Sequence, residues 1–311
     1  MEAARCEVLR LLLTIAGESM YSTPALLPIE GVRSLTYLCT NPDKQAVLSV
    51  LCSLLNTVRS GTETYRRWNA QTMRTNTKQT QVLKYNPASW KVAYNPLTSK
   101  DPKEVLVTYA LQLLSVLVLY PIPESTLLSS CSHDDSSRRP PPPPSSGPPI
   151  RNYYRHYCGR LHRAHDFQFI VDGMTRVLSA PLQDRSPYHL PSAQQTTVSG
   201  HLAPAFLMLF WEILQCNRRF RAFVIDTDRA HDLVVLALFY ASDTSATLAS
   251  SIGSRQGVGR MCAFMLQTLS VERNFGINLN KPFDAQDTLP LAVRITPFSG
   301  THADFLIQVG V

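Results

Sequence analysis

"DPKEVLVTYALQLLSVLVL" (residues 101–119) admits two readings with opposite consequences for the fold. Its apolar run, Val105 to Leu119, is 15 residues long and is interrupted by Thr108, Gln112 and Ser115. A membrane-spanning helix needs about 20 mostly apolar residues. The run is therefore read as a helix buried on several sides inside a protein. Asp101-Pro102-Lys103-Glu104 supplies a cap, a proline at the first helical position and a glutamate at capping-box spacing. Pro121-Ile122-Pro123 removes backbone donors and stops the helix.

The same signals recur outward from this segment. Asn41-Pro42 predicts another helix start, followed by Ala46, Val47, Val50, Leu51, Leu54, Leu55 and Val58 on one half of a helical wheel. Phe167, Ile170, Val171, Met174 and Leu178 fit one more helix, and 204–216, 219–224, 232–240 and 257–269 fit four others. Asp226, Thr227 and Asp228 are cap candidates for 232–240, and Thr301 and Asp304 in "GTHADFLIQ" have capping-box spacing. No stretch alternates as a strand would. Amphipathic and all-round apolar helices in succession predict an all-α fold, a stacked solenoid of the armadillo or HEAT kind. Helix content carries that reading, since no fixed-period repeat is visible.

Two segments break the pattern. Residues 129–149, "SSCSHDDSSRRPPPPPSSGPP", hold seven of the 22 prolines and read as a disordered Pro/Ser-rich linker. Residues 60–81 are polar, basic and threonine-rich and read as an inserted loop. The expected organisation is thus 1–128 as the first part of the array, 129–149 as linker and 151–311 as its continuation.

The apolar fraction of 44% and charged fraction of 17% describe a folding chain. Thirty basic against 23 acidic residues give +7, an excess that suits an acidic partner without selecting one. Seven cysteines, none within four positions of another, show neither a zinc knuckle nor a disulfide framework, so reduced thiols are expected. "MEAARCEVLRLLLTIAG" (1–17) lacks the basic start, unbroken apolar run and cleavage site of a signal peptide.

Candidate chemistry is sparse. "RNYYRHYCGRLHRAH" (151–165) interleaves basic residues with tyrosines. Its sharp reading is an anionic-surface contact through Arg151, Arg155, Arg160 and Arg163, for lipid or nucleic acid, with the tyrosines stacking or inserting. The favoured reading is the solvated start of the helix that continues through Phe167. Cys158, His162 and His165 on one helical face lack a fourth ligand, so no metal site is assigned. Cys131, His133, Asp134 and Asp135 lie in the linker, where nothing would hold them in catalytic register. Gly257-Val258-Gly259 fails the dinucleotide fingerprint at Cys262, and no P-loop, GxSxG or HExxH motif is present. The expectation is a non-enzyme with no catalytic residue, no cofactor and no small-molecule substrate. The linker could offer a PxxP ligand to an SH3 or WW domain.

In "LSVERNFGINLNKPF" (269–283) each residue type has a structural use. Glu272-Arg273 can fix a helix end, Gly276 can take a left-handed turn, Asn274, Asn278 and Asn280 can bond turn backbone, and Pro282 blocks resumption. Together with "FSGTHADFLI" (298–307) the stretch resembles the signature of the high-temperature-induced dauer-formation protein family, relatives of the dymeclins. "LCSLLNT" (51–57), "KYNPASWKVAYNP" (84–96), "DPKEVLVTYALQLL" (101–114), "LYPIPE" (119–124) and residues 209–240 are similar in the same order, and look most like fungal members. The resemblance covers most of 40–308. It marks Glu272, Arg273, Asn274, Phe275, Gly276, Asn280, Lys281, Pro282, Gly300, His302 and Asp304 as a signature corner bracing the helix that starts near His302. It implies a non-catalytic helical scaffold at the cytosolic face of the Golgi, peripheral to the membrane, sorting cargo into secretory vesicles with trafficking proteins as partners; nucleic acid is disfavoured. Met1-Glu2 departs from the family's N-terminal myristoylation pattern. Residues 60–81 interrupt a junction that is nearly direct in the family, as a retained intron or a lineage-specific loop would. The chain resembles a fragment of a longer family member.

Overall fold

The computed structural model describes residues 2–21, 23, 25–58, 102–131, 150–184, 196–246, 252–283, 294–295 and 298–310. The 60–81 segment, residues 84–96, Asp101, the Glu104 side chain and the proline tract from 132 lie outside the described residues.

The fold is all-α. Its helices are α1 (Glu2–Ala16), α2 (Leu27–Glu30), α3 (Arg33–Thr40), α4 (44–58), α5 (Pro102–Leu119), α6 (Glu124–Cys131) and α7 (Tyr153–Cys158). There follow α8 (Ala164–Asp184), α9 (Thr196–Cys216), α10 (Arg218–Asp226), α11 (Arg229–Ala246), α12 (Ile252–Ser270), α13 (Arg273–Leu279) and α14 (His302–Gly310). Among the described residues the only extended pairing is an isolated antiparallel bridge, Pro282 with Thr301.

Helix α5 shows why an all-round apolar helix ends up inside. Leu106, Ala110, Leu111, Leu113, Leu114, Leu117 and Val118 are all buried and cover most of its circumference. It packs α1 and α3 as well as α7 and α9. The stack then runs from α9 to α12 and from α12 to α11, with α8 against α9 and α11. One hydrophobic core extends from Ala16 to Phe305 and includes residues from both sides of the proline tract. Phe220 of α10 sits at its centre, edge-on to Phe167 of α8 and Phe210 of α9 at 5.5 and 5.6 Å between centroids.

Helix α4 is narrower in its buried face than its wheel suggests. Val47, Leu51, Leu54 and Val58 are buried, whereas Ala46 and Val50 are exposed. Leu55 and Val58 border a small apolar cavity of ≈ 20 Å³ shared with Phe169, Ile170, Met174, Phe206 and Leu209. The cap is Asp43, whose Oδ1 accepts from the amides of Gln45 (2.9 Å) and Ala46 (3.2 Å). Asn41, the expected cap, instead accepts from the Asp43 amide at 2.9 Å, setting the turn that leads into it.

The "LYPIPE" segment clamps the first helices to the stack. The Tyr120 hydroxyl accepts from the Val32 amide at 2.8 Å, donates to the Val32 carbonyl at 3.1 Å and lies 2.7 Å from the Thr36 hydroxyl. Gly31 has φ +63°, and a Cβ there would come within 2.1 Å of Pro123 Cγ. Glycine is required on both counts.

Candidate functional site

Residues 151–165 do not form one helix with Phe167. Helix α7 ends at Cys158, a turn follows, and α8 begins afresh at Ala164. The break has a packing cause: a Cβ on Gly159 would lie 2.8 Å from the Cys216 carbonyl, so the chain passes the end of α9 at backbone distance. Asn152 caps α7 by accepting from the Arg155 amide at 3.1 Å, while its Nδ2 donates to the carbonyls of Leu117 (2.7 Å) and Tyr120 (3.0 Å). It thereby ties the last turn of α5 to the start of α7.

This arrangement opens a cleft of ≈ 610 Å³ between the α5–α6 turn, α7 and the end of α9. One wall is apolar, from Pro121, Ile122, Leu127 and Ile150, and the other carries Arg151, Arg155, His156 and Arg160. Arg155 is already engaged: its Nε pairs with the Glu212 carboxylate, whose side chain is only 6% exposed against 51% for Arg155. Arg151 lies over the Tyr153 ring at 5.2 Å, and its buried Nε has no hydrogen-bond partner. Burial, then the Arg151 and Arg160 guanidinium groups, hold His156 below the usual imidazole range. Cys216 at the cleft edge is pushed up to about 11 by burial and then by Glu212.

Arg163, the fourth arginine of the expected surface, does not line the cleft. It sits at the start of α8, where its carbonyl accepts from Asp166 and Phe167. Tyr153 and Tyr154 are core residues, which withdraws them from stacking on bases or inserting into lipid. Cys158 is buried and its thiol pushed up by burial, whereas His162 and His165 are exposed. Among the described residues no three His, Cys, Asp or Glu side chains are placed to hold a metal ion.

The second constellation is the signature corner. Helix α12 ends at Ser270, and Glu272 leads directly into α13. Gly276 lies within α13 with a negative φ, in place of the expected left-handed turn; the positive-φ glycine among the described residues is Gly31. Phe275 and Leu279, four apart, form the buried face of α13 and leave Arg273, Asn274 and Gly276 on the outside. Glu272 accepts from Arg221 Nε at 2.8 Å, and Arg221 Nη1 also donates to the Leu214 carbonyl at 3.1 Å. One side chain on α10 thus holds the end of α9 and the start of α13. Asn278 reaches out of its own turn: Nδ2 donates to the Ile225 carbonyl (2.9 Å), and its carbonyl accepts from His231 Nε2 (2.9 Å).

The two halves of the signature meet. Asn280 ends α13, and Lys281 then bonds Asp228 at 2.6 Å. The Lys281 carbonyl accepts from the His302 amide at 3.1 Å, and the Phe283 amide donates to the Gly300 carbonyl at 3.0 Å, flanking the Pro282–Thr301 bridge. Thr301 and Asp304 form a reciprocal capping box at the start of α14: the Thr301 amide donates to Asp304 Oδ2 (2.8 Å) and the Asp304 amide to Thr301 Oγ1 (3.3 Å). A Cβ on Gly300 would lie 2.9 Å from the Asp304 carboxylate. His302 stacks on His231 at 4.0 Å, and Phe283 stacks on Phe305 at 4.4 Å. Hydrogen bonding holds two carboxyls below their usual range, Asp228 chiefly through Lys281 and Asp304 chiefly through the Thr301 amide.

The model of the high-temperature-induced dauer-formation protein family matches residues 1–82 and 72–309, two segments that overlap within the threonine-rich stretch. The chain belongs to this family. Human protein HID1 is 32% identical over 307 residues, covering 98% of the chain and 33% of the human protein. A Hid-1 family protein of fission yeast is 28% identical over 310 residues, 98% of the chain and 32% of that relative. A second fission-yeast relative, named a Ubp5-interacting protein, is 27% identical over 305 residues, with 97% and 28% coverage. The chain therefore spans about a third of the length of these relatives. No solved structure matches it.

Several residues that organise both constellations carry little local sequence signal. Asn152, Glu212, Arg221 and His231 act on partners distant in sequence, as does Asn217, whose Nδ2 donates to the Cys158 and Leu161 carbonyls beside the cleft, both at 2.9 Å. The one hint is position, since Asn152 and Asn217 each precede a helical run and so read as N-caps.

Proposed function

We propose that this chain is part of a non-enzymatic helical scaffold that works at the cytosolic face of the Golgi in cargo sorting and secretory-vesicle formation. Family membership across nearly the whole chain carries the reading. The stacked helices support it, because a helical stack offers extended protein-binding surface. The signature polar residues support the non-catalytic part: Glu272, Asp304 and Lys281 are each committed to an ion pair or a cap that holds helix ends. We read those residues as a corner that fixes the angle between α12, α13 and α14. Among the described residues no helix is long and apolar enough to cross a membrane, which fits a peripheral protein. The relative named for interaction with Ubp5 makes a protein partner a reasonable expectation for this chain. The proline tract remains a candidate ligand for an SH3 or WW domain.

A fluorescent tag on the full-length gene product, imaged with Golgi and endosomal markers, tests the reading. Golgi coincidence and missorted secretory cargo on its loss are expected. A diffuse or nuclear signal with normal secretion would sink it.

A further inference from the structure

We propose that the cleft between the α5–α6 turn, α7 and the end of α9 binds a multiply phosphorylated ring, held by Arg151 and Arg160 with Arg155 beside them. The cations come first. Among the described residues neither Arg151 nor Arg160 has a carboxylate partner, whereas Arg155 has Glu212. Both Arg151 and Arg160 line the open cleft. Guanidinium groups bind phosphate with two parallel hydrogen bonds, and two of them without a carboxylate partner in one cleft suit more than one phosphate.

Shape and rigidity select the ligand further. A volume of ≈ 610 Å³ lies in the range of small-molecule sites. The apolar wall of Pro121, Ile122 and Ile150 offers a face for a ring, while burial withdraws Tyr153 and Tyr154, two of the segment's three tyrosines, from stacking on single-stranded nucleic acid. The basic wall is pre-set: Asn152 pins the start of α7 to the end of α5, and Gly159 seats its far end on α9. The same phosphorylated ring occurs as a membrane-lipid headgroup and as a soluble inositol phosphate. The inference stands apart from the trafficking role, because headgroup binding and Golgi residence are read by different assays.

The test uses the full-length protein and calorimetric titration with inositol trisphosphate, beside flotation on phosphatidylcholine vesicles with and without phosphatidylinositol bisphosphate. Saturable one-to-one binding is expected, weakened about tenfold by Arg151→Gln or by Arg160→Gln. Arg163→Gln, with the same charge change outside the cleft, should bind as the parent does. Arg160 is exposed, so its variant stays informative even if Arg151→Gln folds poorly. Flotation that inositol trisphosphate competes away identifies the lipid source; calorimetric binding without flotation identifies the soluble one. The proposal is overturned by absence of saturable binding, by equal weakening in Arg163→Gln, or by a phosphoserine peptide that binds more tightly than the ring.

Discussion

Replacing Asn217 with alanine should be among the most damaging single-atom-group deletions in this chain. Asn217 is 1% exposed and has three partners. Its Nδ2 donates to the carbonyls of Cys158 and Leu161, both at 2.9 Å, and its Oδ1 accepts from the Phe220 amide at 2.9 Å. The first two bonds tie the end of α7 to α10; the third caps α10. Loss of the cap costs about 1 kcal/mol. Stranding the Leu161 carbonyl adds about 1–2 kcal/mol. The Cys158 carbonyl keeps a long bond from the Leu161 amide at 3.4 Å, so its share is under about 1 kcal/mol. Asn217→Ala should therefore lose about 3 kcal/mol in urea unfolding followed by circular dichroism. Asn217→Asp separates the two roles, since a carboxylate keeps the cap and cannot donate to either carbonyl. If Asp restores stability to within about 0.5 kcal/mol of the parent, the tether has no weight and the reasoning fails.

Other outcomes follow from the same geometry. Tyr120→Phe removes the hydroxyl that bonds the Val32 amide and carbonyl, and should cost about 1–2 kcal/mol with faster hydrogen exchange at Val32. Gly31→Ala puts a Cβ into Pro123 at positive φ and should destabilise by at least about 1 kcal/mol in the same urea assay; a neutral result would contradict the clamp. Asp228 and Asp304 have depressed carboxyl pKa values in the folded state, so they add stability that is present above the unfolded value, about 3.9. That stability is lost as pH falls through their folded values, and Asp304→Asn should flatten the acid limb of an unfolding-versus-pH curve. Thiol labelling at mildly alkaline pH should be fast at exposed Cys52 and slow at Cys39 and Cys262, whose thiols burial pushes up to about 12. Cys52→Ser should remove a fast phase.

Much of the helical layout was legible because its signals are local. The prolines at 121 and 123 end α5, the spacing of Phe167, Ile170, Val171, Met174 and Leu178 marks the buried face of α8, and Thr301 with Asp304 announces α14. Neighbours change what a local signal means. Gly276 has the composition of a helix stop, yet α13 forms through it because Phe275 and Leu279 bury together on one face. Asn41-Pro42 resembles a cap, yet Asp43 is better placed to meet the first free amides.

The sequence by itself determined that this chain is all-α, where several of its longer helices fall and which family it resembles, since periodicity, caps and ordered motifs are properties of contiguous residues. Only the tertiary structure decided how helix ends are joined and where charge collects. Arg155 with Glu212, Arg221 with Glu272, Asn278 with the Ile225 carbonyl and Tyr120 with Val32 are pairs 57, 51, 53 and 88 residues apart. No periodic pattern encodes such partners. They exist because unpaired groups at buried helix ends are costly, and packing brings these side chains within reach of them. The basic cleft has the same origin: its arginines are visible in the sequence, but which of them are paired, and which face an open wall, depends on how α7 meets the end of α9.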